Sequence, residues 1–93
     1  MARQEPLTLD ELRPLLARLM EVAPEAVVPE ASLSEDLGMT SLDVVRLAQA
    51  LDDLLEAEIE LEEWALDPDV MATSDHRVAR LLDWVRARQI ELA

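Results

Sequence analysis

Leucine recurs at three- and four-residue intervals near the start of the chain, at Leu9, Leu12, Leu15, Leu16 and Leu19. The same spacing returns in two later runs, Val44, Leu47, Ala48, Leu51 and Leu55, and Val78, Leu81, Leu82 and Val85. Such spacing places apolar side chains along one face of a helix. Trp64 and Trp84 are the only aromatic residues, so the core must be built from Leu, Val, Ala and Met, a palette that favours helices. The chain is therefore predicted to be all-α.

Local capping signals give the expected helix boundaries. The first helix should run from Thr8 to Glu21, with Thr8 and Glu11 as a capping box, and end before Pro24. The second should run from Ser41 to Glu56. A short helix is expected between Leu61 and Thr73, interrupted at Pro68, and a last one from Asp75 to Gln89 with Ser74 as its N-cap.

The stretch from Ala23 to Thr40 is too long for a turn between two helices. It holds Pro24, Pro29 and Gly38, but also four apolar residues that can anchor it, Val27, Val28, Leu33 and Leu37. We expect a packed loop and not a disordered linker.

The charge balance narrows the possible partners. Eight Arg and no Lys against 21 Asp and Glu give a formal charge of −13. That charge opposes binding to nucleic acid or anionic lipid and favours a partner with a basic surface. A simpler interpretation is that the charge only keeps a small domain soluble.

Length and cysteine content limit the organisation. Ninety-three residues make one domain, residues 1–93, with an ordered core expected from about 7 to 90. Cysteine is absent, so neither a disulfide framework nor a thiolate metal site is possible. No apolar run reaches membrane-spanning length and the first residues lack a hydrophobic signal region, which predicts a cytoplasmic, soluble protein. We also expect a monomer.

The sequence contains only incomplete patterns for a metal site or a catalytic site. Asp67, Asp69 and Asp75 resemble the start of a calcium loop, but Ala72 and Val78 stand where an EF-hand needs Gly and Glu. His76 is the only histidine, and the sequence contains no G-x-S-x-G nucleophile elbow whose serine it could activate. We therefore expect neither a metal site nor a hydrolytic site.

The stretch Glu35–Val45, EDLGMTSLDVV, carries the candidate site. Gly38, the only glycine, suits a backbone turn with positive φ. Thr40 is a good N-cap and forms a capping box with Asp43, which leaves the Ser41 hydroxyl free at the positive end of the helix dipole. That position suits an attached phosphodiester, although an ordinary helix start has the same residues.

The run from Ala31 to Glu63 closely resembles the central segment of acyl carrier proteins. The match includes Asp36-Leu37-Gly38, Ser41-Leu42, Ala50-Leu51 and Glu58-Ile59, and extends more loosely over the first helix and Val78–Val85. The resemblance implies a four-helix bundle with a long first loop and a short third helix.

In that family the serine carries covalent 4′-phosphopantetheine, moved from coenzyme A by a phosphopantetheinyl transferase with magnesium. The arm's thiol then holds an acyl group as a thioester for acyltransferase, acyl-ligase or synthase enzymes whose basic surfaces dock near the second helix. The resemblance thus implies attachment at Ser41, in a protein that is a substrate of these enzymes, has no catalytic residues and is not itself an enzyme. It also implies docking by a set of residues on the second helix and the loop before it: Glu35, Asp36, Met39, Thr40, Leu42, Asp43, Val45, Arg46, Gln49, Asp52, Asp53 and Glu56.

The sequence also departs from the family pattern. Thr40 replaces the usual Asp before the serine, Arg46 a typical Glu and Gln49 a typical apolar residue, and the segment between Ile59 and Val78 is longer than in fatty-acid carriers. These departures favour a discrete carrier of polyketide or other specialised biosynthesis. A fatty-acid carrier, an aminoacyl or peptidyl carrier, and an acidic helical interaction module without a cofactor remain alternatives.

Overall fold

The computed structural model describes residues 2–71 and 76–93, which form a bundle of helices. The helices are α1 (Leu9–Met20), α2 (Ser41–Leu55), α3 (Glu62–Ala65), α4 (Pro68–Met71) and α5 (Val78–Leu92). Among the described residues, the only β interaction is an isolated antiparallel bridge between Ser32 and Arg77. The predicted all-α fold of acyl carrier type is confirmed.

The two long N-terminal helices begin where local capping predicts. The Thr8 side chain accepts a hydrogen bond from the Glu11 backbone N–H at 3.2 Å, and the Glu11 carboxylate accepts one from the Thr8 N–H. The helices end at Met20 and Leu55, one residue before the predicted ends, because Glu21 and Glu56 take left-handed conformations that close the last turns.

The predicted short third helix is two helices of four residues each. Pro68 occupies the first position of α4, where its missing N–H costs nothing. The interruption expected at Pro68 is therefore the start of a new helical turn.

The predicted start of the last helix is wrong. Arg77 is extended, with φ −124° and ψ 161°, so α5 begins at Val78 instead of Asp75 and continues to Leu92 instead of ending at Gln89. Among the described residues no side chain caps it. Backbone carbonyls of the first loop take that role, because the Val78 N–H donates to Ala31 at 3.1 Å and the Ala79 N–H to Pro29 at 2.9 Å. Ser74 and Asp75, part of the predicted boundary, lie outside the described residues.

The first loop packs as predicted, with one exception. Val27, Leu33 and Leu37 are buried in the core, whereas Val28 is exposed and does not anchor the loop. All five residues of the predicted α2 stripe are buried; on α5, Leu82 is only partly buried and Gln89 is buried in addition. In the described part of the chain, no helix is long and apolar enough to cross a membrane.

Candidate functional site

A hydrogen-bonded loop carries the chain into α2. The Ser32 N–H donates to the Asp36 carboxylate at 2.7 Å, and the Leu37 N–H donates to the Ser32 carbonyl at 3.1 Å. Gly38 then takes a positive φ of 71°, and the Met39 N–H returns to the Leu33 carbonyl at 2.8 Å. This left-handed step turns the chain so that Thr40 stands at the N-cap.

The Thr40 capping box is complete. The Thr40 Oγ1 accepts from the Asp43 N–H at 3.3 Å, and the Asp43 carboxylate accepts from the Thr40 N–H and hydroxyl at 3.0 Å each. Thr40 and Asp43 thus satisfy each other, and neither requires the Ser41 side chain.

Ser41 is the first residue of α2 and is exposed. Among the described residues its hydroxyl has no hydrogen-bond partner, and neither do the backbone N–H groups of Ser41 and Leu42. Unpaired N–H groups and the helix dipole make this end of α2 favourable for a negatively charged group. An accessible hydroxyl beside such a position fits an attached phosphodiester.

Three of the predicted docking acids have structural partners. Asp36 and Asp43 hold the loop and the cap, and the Asp52 Oδ1 accepts a hydrogen bond from the Ile59 N–H at 2.9 Å. A substitution at any of these three acids therefore changes local structure as well as charge.

Other predicted docking residues are exposed along α2 and on the loop before it. Leu42 is 57% and Val45 40% exposed, and the two lie three residues apart, on one face of α2. Thr40, Arg46 and Gln49 are also exposed, as are the acids Glu35, Asp53 and Glu56. Met39 is the exception: it is only 8% exposed and belongs to the core, so its side chain cannot serve as a surface contact.

An open groove of 670 Å³ lies beside the start of α2, and the sequence does not predict it. We call it the α1–α2 groove; its walls include Leu15, Arg18, Leu19, Leu37, Asp43 and Arg46. In the sequence, Arg18 follows Leu15 by three residues, so helical spacing places both on one side of α1. This spacing is the one sequence feature that points to the α1 wall of the groove. The pairing of α1 with α2 that brings Arg18 near Arg46 depends on the tertiary structure.

Metal ligation has no basis in the described part of the chain, where no group of three or more His, Asp or Glu side chains could hold an ion. Asp75, the third member of the calcium-like pattern, lies outside the described residues.

One family model and several acyl carrier proteins are similar to this chain. The model of a family described as "Phosphopantetheine attachment site" matches residues 10–85. The acyl carrier protein of Thermosynechococcus vestitus is 39% identical over 74 residues, which cover 76% of this chain and 91% of that protein. The acyl carrier proteins of Campylobacter fetus subsp. fetus and Campylobacter curvus are each 46% identical over 50 residues, covering 54% of this chain and 65% of each relative, slightly under two thirds of their length.

Proposed function

Because the chain belongs to the acyl carrier protein family, whose members carry covalent 4′-phosphopantetheine, we propose that Ser41 is the attachment residue and that the chain carries acyl groups for partner enzymes in the cytoplasm. The observation that supports this assignment most directly is the free, exposed Ser41 hydroxyl beside the Thr40–Asp43 capping box. When attached, the arm supplies a thiol that forms a thioester with the acyl group.

The residues of this chain prepare the attachment point. Thr40 caps the helix and so spares the Ser41 hydroxyl. In the transfer, the Ser41 oxygen attacks the phosphorus of coenzyme A that bears pantetheine, and the P–O bond to the adenosine half breaks. Adenosine 3′,5′-bisphosphate leaves, and the serine proton passes to a base of the transferase. The unpaired N–H groups of Ser41 and Leu42 lie at the positive end of α2, where they stabilise the negative charge of the resulting phosphodiester. The chain acts as a substrate of the transferase and as a carrier, not as a catalyst.

Intact-mass spectrometry tests this assignment. The chain is incubated with a promiscuous phosphopantetheinyl transferase, magnesium and coenzyme A, together with Ser41→Ala and Ser34→Ala variants. Ser34 is another exposed serine of the same segment, so its variant controls for the loss of a hydroxyl. We expect one phosphopantetheine on the parent chain and on Ser34→Ala, and none on Ser41→Ala. If a folded parent chain gains no mass with two different transferases, the alternative of an acidic interaction module without a cofactor is the better account.

We further propose that partner enzymes dock on an exposed surface formed by Leu42, Val45 and the exposed acids of α2 and the loop before it. Glu35, Asp53 and Glu56 are exposed acids that can attract a basic partner surface, while Leu42 and Val45 supply apolar contact. Charge reversal at Glu35 is the cleanest test, because Asp36 also holds the loop. Glu35→Arg should lower the association rate with a cognate enzyme and weaken its salt dependence, whereas Glu25→Arg, the same change at an exposed acid outside the predicted docking set, should not. Equal effects of both changes would indicate non-specific attraction.

We also propose a role in polyketide or other specialised biosynthesis rather than in general fatty-acid synthesis. Support comes from Arg46, an exposed cation within the proposed docking surface, where an acid is typical of fatty-acid carriers. Transfer rates from a fatty-acid synthase component should rise when Arg46→Glu restores the acid. If the parent chain is already served as fast as a fatty-acid carrier, a role in fatty-acid synthesis is the better account.

A further inference from the structure

The α1–α2 groove combines an apolar lining with positive charge. Leu15 and Leu19 of α1 and Leu37 of the loop provide the apolar wall, and Arg18 and Arg46 face it from the two helices. The groove is open to solvent along the outside of the bundle, so a ligand can enter it without moving a helix. Its composition suits a ligand with an apolar part and one charged end.

Arg18 and Arg46 are set apart from the other arginines of the chain. In the described structure neither guanidinium makes a hydrogen bond, and the nearest acid to Arg46 is Asp43 at 3.9 Å, a loose contact. The other six arginines have hydrogen bonds, ion pairs or other interactions: Arg3, Arg13, Arg77, Arg80, Arg86 and Arg88. In a chain of charge −13, two arginines without close acidic partners on one groove provide donors for an external anion.

The acids of the groove limit the charge of that anion. Asp43 and Glu21 also line it. The Asp43 carboxylate is occupied by the cap of α2, but Glu21 is exposed and repels additional negative charge. The groove therefore suits a single carboxylate at the end of an apolar chain better than a multiply charged anion.

The groove lies next to the proposed attachment point. Gly38, three residues before Ser41, and Asp43, two residues after it, both line the groove. A ligand tethered at Ser41 reaches a neighbouring site at an effective concentration in the millimolar range, so a site with a millimolar dissociation constant is about half occupied.

We propose that the α1–α2 groove binds an acyl chain that ends in a carboxylate and is carried on the protein's own arm, with Arg18 and Arg46 pairing with that carboxylate. This inference rests on the proposed attachment at Ser41. It makes the groove a selective site for dicarboxylic acyl groups, which keep a charged end after one carboxyl has formed the thioester.

The test compares two loaded forms of the full chain. A promiscuous phosphopantetheinyl transferase attaches the arm from glutaryl-coenzyme A or from hexanoyl-coenzyme A, which differ mainly in the terminal carboxylate, and intact mass confirms loading. The Nε–Hε signals of the arginines and the methyl signals of Leu15 and Leu37 are then followed by NMR. We expect the Arg18 and Arg46 signals to shift with glutaryl but not with hexanoyl loading.

Variants separate the carboxylate contact from a general charge effect. The double variant Arg18→Gln/Arg46→Gln should lower groove occupancy by the glutaryl chain about tenfold, because it removes charge-assisted hydrogen bonds. Arg80→Gln, which removes an exposed arginine of α5 outside the groove, should leave the glutaryl shifts intact.

Three results would overturn the proposal. Arginine signals that do not move in a glutaryl-loaded chain would show that the carboxylate binds elsewhere or stays in solvent. Equal shifts with hexanoyl would show an apolar site without carboxylate recognition. A failure to load Ser41 at all would remove the proposed attachment, and this outcome is distinguished from the others because mass is measured first.

Discussion

The Trp64 indole stacks on the His76 imidazole, with ring centroids 5.6 Å apart and planes inclined by 28°. Trp84 of α5 also stacks on Trp64, with ring centroids 6.4 Å apart. His76 is only 5% exposed, and neither imidazole nitrogen has a hydrogen-bond partner among the described residues. Burial lowers the pKa of His76, and the nearby Ala65 carbonyl opposes this shift without outweighing it. The folded protein therefore holds a neutral histidine against α3.

Acidification should destabilise the fold through His76. Because its pKa is lower in the folded state than its usual 6.5, the unfolded chain binds the proton more readily, so stability is complete above about pH 6.5 and falls as the pH drops towards the folded-state pKa. Urea unfolding between pH 7.5 and 5 measures this loss. His76→Phe keeps an aromatic ring but cannot be protonated, and it should remove the dependence in this range; an unchanged dependence would assign it to other groups.

A second pH dependence should appear at lower pH through Glu11. The Arg3 guanidinium, whose two terminal nitrogens lie 2.5 and 2.6 Å from its carboxylate, lowers the pKa of Glu11 from 4.5 to about 2. The stabilisation is present above pH 4.5 and is lost as the pH falls towards 2. Glu11→Gln should flatten the stability profile in that window only, as measured by thermal unfolding. A flattening between pH 5 and 7 would contradict the assignment.

Substitutions of the adjacent residues Thr40 and Ser41 should affect different properties: Thr40 the stability of the fold, and Ser41 its modification. Thr40→Ala removes the N-cap and should cost about 1 kcal/mol of unfolding free energy. Ser41→Ala should change that free energy by less than about 0.5 kcal/mol, because its hydroxyl makes no hydrogen bond with described residues. Urea unfolding measures both. A large loss in Ser41→Ala would indicate a structural role and would weaken its use as a control for modification.

Replacing Gly38 by a residue with a side chain should destabilise the fold because of the backbone conformation alone. A Cβ at this position would meet no atom within 4 Å, but φ is 71°, in the left-handed region. Gly38→Ala should therefore cost about 1 kcal/mol without a steric clash. Equilibrium unfolding measures the cost, and a larger loss would mean that the loop has to rearrange.

Gln89 should anchor the N-terminal segment to α5. Its Oε1 accepts from the Leu7 N–H at 2.8 Å and its Nε2 donates to the Glu5 carbonyl at 2.9 Å. Gln89→Ala leaves these groups unpaired and should cost about 2 kcal/mol, with faster proteolysis near the N-terminus. The matched change at exposed Gln49 should cost less than about 0.5 kcal/mol. Similar losses in both variants would contradict a specific anchoring role.

The sequence by itself determined the features that depend on neighbouring residues. In each capping box, Thr8–Glu11 and Thr40–Asp43, the two residues are three positions apart, and the boxes set the starts of α1 and α2. The buried stripe of α2 follows from the helical period. Such signals act within one or two turns, so they can be recognised without knowing the fold.

The tertiary structure alone decided what depends on contacts between distant segments. The first loop pairs with His76 and Arg77 and caps α5 with its own carbonyls, which moved the start of that helix to Val78. The same packing buried Gln89 and brought Arg18 to the groove that contains Arg46. A backbone N–H is satisfied by any suitable carbonyl within reach, and which one is within reach depends on how the helices pack.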